Sequence, residues 1–354
     1  MDPSQLIPAT DPISVPWIWF EALGILTFVV HLLFMNAMFG GSIIALVVRE
    51  KGRSRMHPVA QSLASKLPTL VALTVNMGVA PLLFIQVIYG NFLYTSTILM
   101  AVYWLSIVVL VILAYYLLYY HAFKYDVLAN NRKLVMAMVV ALFMVVAFFF
   151  SNAMTLMIVP PAWEGYFSNV SGTLLNLTDP TLIPRYLHFV VAAMAVGGLF
   201  VALLGYMQRR QNKDGEPQIT IGLQWFTSMT LVQFVIGTWF LLSLKREVML
   251  AFLGDNGFAT AVFLVALAVS LLALYAGFTR RILLAAGSTV ALVSLMAIVR
   301  ALLRWEYLAP YFHPSDLTLQ PQYSPLVMFI LFLVVGLGVV AYMLHLYLSA
   351  GKED

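Results

Sequence analysis

The chain of 354 residues contains no cysteine. That excludes disulfides, thiolate metal centres, iron–sulfur ligation and covalent haem attachment. Charge is scarce too: only 10% of residues are Asp, Glu, Lys or Arg, against roughly a quarter in a soluble domain. No Walker or Rossmann signature occurs, and the pairs Gly40-Gly41 and Gly197-Gly198 lack the rest of a phosphate loop. No internal repeat stands out. The apolar segments carry no Asp or Glu near mid-depth, which argues against a transporter coupled through an intramembrane carboxylate.

What is present is hydrophobic sequence in long runs, 62% of the chain. A spanning helix needs about 20 apolar residues. Nine segments qualify: 17–48, 67–90, 95–122, 133–158, 182–208, 219–244, 258–279, 281–303 and 325–349. The expectation is an all-α integral membrane protein, one transmembrane domain over 1–354. It divides into four-helix halves, 17–158 and 182–303, and a final helix, 325–349. The first sixteen residues hold Asp2 and Asp11 but no Lys or Arg, so the first span is expected to be retained rather than cleaved as a signal peptide.

Basic residues give the orientation. Arg49, Lys51, Arg53, Arg55, Lys66, Lys124, Arg132, Lys133, Arg209, Arg210, Lys213, Arg280, Arg281 and Lys352 fall on one side; Arg185, Lys245, Arg246 and Arg304 fall on the other. The N-terminus is therefore expected outside and the C-terminus in the cytoplasm, in the inner membrane of a prokaryote. The net charge of +4 follows from this asymmetry and calls for no nucleic-acid partner. Two long connections, 159–181 and 304–324, are Pro-rich and aromatic and lie on the expected outer side. Each reads equally as a docking surface, a lid or a plain connection. The tyrosines between Tyr115 and Tyr125 read as an interfacial belt.

Of the six histidines, His57 and His313 fall in connections, and His121 and His345 at span ends. Only His31 and His188 sit within apolar runs, where an imidazole is costly unless something binds it. Arg185 lies one turn before His188, and the small Ala192 and Ala195 follow it. His31 is preceded by Gly24 and followed by Met35, Asn36 and Met38. Neutral imidazole is a haem-iron ligand, arginine suits a haem propionate, and small residues leave room for a porphyrin. The competing reading is a hydrogen bond from each histidine to a neighbouring helix. Arg300 and Arg304 read as members of a structural ion pair, with Glu21, Glu247 and Glu306 as candidate acids. Gln224, Thr227, Ser228, Thr230, Gln233 and Thr238 read as helix glue or the lining of a quinone pocket.

Three stretches resemble subunit I of the cytochrome bd quinol oxidases: VVHLLFMNAMFGG around His31, SNAMTLMIVPPAWEGYF from Ser151 to Phe167, and DPTLIPRYLHFVVAAMAVGGLF around His188. The resemblance covers about the first 245 residues. It implies that His188 and His31 ligate b-type haem, with Arg185 just ahead of the first. It also implies a heterodimeric or larger redox complex. Span seven, however, has no methionine, histidine or arginine; span eight has no glutamate before Glu306; and the quinol loop is reduced to KREVMLAFLGDNG. An intact oxygen-reducing site is therefore not expected. Met229, or less favourably Met77, would replace the missing ligand, and Lys245 and Glu247 would echo charged residues of the quinol loop. The implied function is electron exchange between membrane quinol and an outer partner such as a c-type cytochrome. The alternative is a haem-free anchor of the same fold for an outer redox partner.

Overall fold

The computed structural model describes residues 3–48, 58–128 and 131–350. His57, Arg49, Lys51, Arg53, Arg55 and Lys352 lie outside the described residues. Among the described residues, nine helices are long and apolar enough to cross a membrane: α1 Trp17–Val47, α2 Pro58–Leu99, α3 Ala101–Phe123, α4 Arg132–Ile158, α5 Leu182–Arg210, α6 Glu216–Ser243, α7 Gly257–Phe278, α8 Ile282–Leu308 and α9 Ser324–Ala350. Helix is what such a sequence must form, because hydrocarbon offers no partner for a backbone N–H or C=O. The protein is an all-α multi-pass membrane bundle. Its two ends are called here the loop face, which carries 159–181, and the basic face opposite.

Beyond shifts of a few residues at helix ends, such as α3 starting at Ala101 rather than 95, three departures from the sequence expectation stand out. α2 runs for 42 residues, about 63 Å at 1.5 Å per residue, well beyond the expected 67–90. It contains Pro68 and Pro81 and leaves helical geometry at Tyr89 (φ −119°, ψ 27°). Proline removes one hydrogen bond in the turn before it, while the break at Tyr89 lies eight residues beyond Pro81. α8 continues to Leu308, so Arg304 belongs to a helix and not to the following connection. The third concerns 159–181, which folds back on the bundle. It forms a 3-10 helix, Pro160–Phe167; Trp163 is buried and its indole donates to the Leu156 carbonyl at 2.8 Å. The backbone N–H groups of Leu174 and Asn176 reach Leu99 O and Asn152 Oδ1.

Glycine governs the centre. α1 crosses α5 where Gly40 meets Gly197: a methyl on Gly40 would lie 1.8 Å from the Ala193 carbonyl oxygen, and one on Gly197 2.5 Å from the Gly40 carbonyl carbon. The next residue in each helix packs within its own half. Gly41 faces Leu63 and Leu67 of α2, and Gly198 faces Gly222 and Phe226 of α6. The wider pairing matches. α1 packs on α2 as α5 packs on α6, α3 on α4 as α7 on α8, and α1 touches α8 as α5 touches α4. Both halves thus share one pattern, anchored on His-x8-Gly-Gly at His31 and at His188. The contacts arrange eight helices as two similar fours, a repeat that the sequence reading did not detect. α9 stands apart with almost every described side chain exposed; its Phe329 edges onto Phe84 of α2 at 5.5 Å.

Candidate functional site

The shared pattern sets both intramembrane histidines at one level, each nine residues toward the loop face from its crossing glycine, about 13.5 Å along the helix. Each ring packs against a glycine of the following helix. A methyl on Gly78 of α2 would lie 2.9 Å from His31 Cε1, and one on Gly237 of α6 3.5 Å from His188 Cε1. Each histidine also shares a phenyl ring with an arginine. Phe28 stacks on His31 at 6.3 Å, and the Arg300 guanidinium lies 4.4 Å from the same ring. Phe240 lies 5.9 Å from His188, with the Arg185 guanidinium 5.1 Å from it.

At the α1–α2 site, His31 Nδ1 lies 3.0 Å from the Thr74 carbonyl oxygen. A carbonyl only accepts, so Nδ1 carries the proton and Nε2 keeps its lone pair. That arrangement orients an imidazole as a ligand. Toward the loop face, Arg304 pairs with Glu21 at 2.6 Å. Tyr89 donates to the other Glu21 oxygen at 3.2 Å, and Trp305 Nε1 donates to Tyr89 at 2.6 Å. The expected ion pair is present, and Glu21 is its acid. Glu306 instead accepts from Asn256. Among the described residues Arg300 has no ion pair or hydrogen bond; Phe28 is its close partner. Glu21, Tyr89, Arg300 and Arg304 form the polar end of a cleft whose other walls are apolar, among them Phe20, Phe28, Phe84 and Ile88.

At the α5–α6 site the polar groups are less satisfied. His188 Nδ1 is buried without a hydrogen-bond partner, as are Arg185 Nε and Nη2 and Gln233 Oε1. Arg185 is 4% exposed. Asp179 and Tyr307 are the groups whose charge it feels, and neither takes a hydrogen bond from Nε or Nη2. Gln233 Nε2 donates to the His188 carbonyl at 3.1 Å, a bond that ties α6 to α5. Each orphaned buried polar atom costs about 1–3 kcal/mol, more when charged. Four of them around one imidazole mark a place where something outside the described chain would bond.

The remaining candidates lie elsewhere. Met229 packs among Ala195, Leu199, Phe226, Ala273 and Ala276, four residues or about 6 Å toward the basic face from Gln233, and does not reach His188. Met77 is 38% exposed on α2. Lys245 and Glu247 are exposed at the loop face. The Lys245 backbone N–H reaches Tyr307 Oη at 3.4 Å, and its ammonium lies 5.5 Å from the Tyr307 ring. No side-chain contact joins Lys245 or Glu247 to Gln233. His313 is exposed and caps a short turn, and His345 is exposed on α9. His121 is buried against Tyr125 rather than lying at an open interface. Sequence reading did not single out Phe28, Phe240, Gly78 or Gly237. The one sequence signal that could have pointed to the paired sites is the equal eight-residue spacing from each histidine to Gly-Gly.

The described residues hold no cluster of three or more His, Cys, Asp or Glu able to bind a metal ion. One imidazole per site suits a metal whose other ligands arrive with a macrocycle. The donor sets fit haem: a neutral imidazole with a free nitrogen, an adjacent glycine, and an arginine lacking an acid. No protein-family model matches the chain, and no curated protein sequence matches it.

Proposed function

We propose that the protein is a cytochrome bd-like membrane subunit of a respiratory electron-transfer complex, holding b-type haem through His188 and His31. The observation that carries this reading is the repeated arrangement of histidine, phenylalanine and acid-free arginine, with orphaned nitrogens at His188 and Arg185. A haem held there supplies one-electron chemistry between ferric and ferrous iron. The chain's own residues do the rest. His31 presents Nε2 because Thr74 holds Nδ1, and Gly78 and Gly237 let each ring lie directly against the neighbouring helix. Arg185 and Arg300 set positive charge in a low-dielectric bundle, where it favours the more electron-rich state of a neighbour.

Electrons would pass between membrane quinol and a partner at the loop face, for which a c-type cytochrome is the natural class. Oxygen reduction is not part of the proposal. α7 has no methionine, histidine or arginine, and α8 has no glutamate before Glu306. Those same losses favour the second reading, a haem-free anchor of the same fold that carries an outer redox partner.

The deciding experiment is a reduced-minus-oxidised spectrum with a pyridine haemochrome assay on purified protein, His188→Ala and His31→Ala. A b-type signal diminished in each variant supports the first reading. Folded wild type without haem overturns it in favour of the anchor.

A further inference from the structure

At the basic face, where α5 ends and α8 begins, Arg209, Arg210, Arg280 and Arg281 line one open groove with Tyr206 and Leu283. Glu216, at the start of α6, takes two of the four. It pairs with Arg209 at 3.5 Å and with Arg280, which also donates to Thr220. The other two have no carboxylate among the described residues. Arg210 lies 6.0 Å from the Tyr206 ring and Arg281 5.9 Å from Tyr275. With Lys213 and Asp214 on the same turn, five cations face two carboxylates, and Asp214 is turned to the Glu216 backbone N–H.

We propose that this groove binds the phosphate headgroup of an acidic phospholipid. The placement suits it, because the groove lies at the ends of spanning helices, the depth at which headgroups sit. Leu283, 62% exposed, offers apolar surface to an acyl chain beside guanidinium donors. Guanidinium binds phosphate oxygens through paired N–H groups, and basic pockets between spanning helices are suited to such headgroups. α8 adds the positive end of a 27-residue helix with no acid in its first turn and no side-chain cap. Nothing in this binding depends on haem.

The test uses the purified full chain in detergent, titrated with phosphatidylglycerol, cardiolipin, phosphatidylcholine or inorganic phosphate, and read by thermal shift and native mass spectrometry. Retention of phosphatidylglycerol or cardiolipin, with a rise in Tm that phosphatidylcholine does not produce, is expected. Arg210→Gln/Arg281→Gln leaves both Glu216 pairs intact. It is expected to weaken retention by roughly thirtyfold, the loss of two near-surface cations. Lys124→Gln/Lys133→Gln removes two cations from the same face without touching the groove, and is expected to retain lipid like wild type. Equal loss in both double variants would overturn the proposal in favour of diffuse attraction to the face. An equal response to inorganic phosphate would overturn it in favour of a simple anion site.

Discussion

Gly40 and Gly197 meet backbone to backbone, and each stands nine residues after a histidine. A methyl on Gly197 would lie 2.5 Å from the Gly40 carbonyl carbon, and backbone cannot step aside as a side chain can. Gly197→Ala should therefore force α1 and α5 apart at a cost of about 1–3 kcal/mol, lowering the Tm of the purified protein. Gly287→Ala, where a methyl would meet nothing within 4 Å, is the matched control. Equal Tm values would show that the crossing does not organise the bundle.

Glu21 and Arg304 form a pair that is 5% and 12% exposed. Glu21→Gln leaves Arg304 as a buried cation with no counter-charge, a change worth roughly 3–5 kcal/mol. The double variant Glu21→Leu/Arg304→Met removes both charges and should recover most of the loss. Thermal unfolding of the two variants beside wild type reads the difference directly. A double variant no better than the single one would mean that the pair matters for its hydrogen bonds and not its charge balance.

Arg185 has two buried nitrogens without partners beside His188. In the haem-bearing reading its charge opposes the ferric state and favours the ferrous one. Arg185→Gln should then lower the midpoint potential of the haem at His188, by an amount on the order of tens of millivolts. The haem at His31 should change much less, because Arg185 shares its phenyl ring with His188 alone. A spectroelectrochemical titration following both signals makes the comparison, and an unmoved or raised potential contradicts the assigned role.

Asn152 is fully buried, and its Oδ1 accepts the Asn176 backbone N–H at 3.1 Å. Asn152→Ala strands that N–H, costing about 1–3 kcal/mol, and should loosen the connection 159–181. Limited proteolysis from the loop face should cut the variant within 164–178 faster than wild type. Unchanged cleavage would place the hold on this segment with Trp163 instead.

Helix number was legible from the sequence because apolar run length is a local property. The extension of α2 past residue 90 was less so. NFLYTSTIL is only moderately apolar, and nothing local says that Tyr89 bends the helix while hydrogen bonding to Glu21. Within the site, the two histidines and Arg185 stood out as polar groups in apolar runs. Phe28 and Phe240 did not, since a phenylalanine in a membrane helix is ordinary until tertiary packing lays an arginine across it. Glu21 was one of three acids considered for Arg304, and only packing across 283 positions of sequence selects it. Met229 was proposed by chemistry alone; the Gln233 bond to the His188 carbonyl fixes a register in which it points into an alanine-lined layer instead.

The short bridge between Ile13 and Leu319 bears on how the last helix transmits load. Three backbone hydrogen bonds join 13–14 to 318–322, at 2.7–2.9 Å, and they run side by side. A pull on α9 along the chain shears all three together instead of peeling them one at a time. The segment that carries α9 is thus clamped before it reaches α8. Force applied at α9 is therefore shared with the start of α1, where Trp17 braces on Trp305 of α8, instead of passing to α8 through the chain alone.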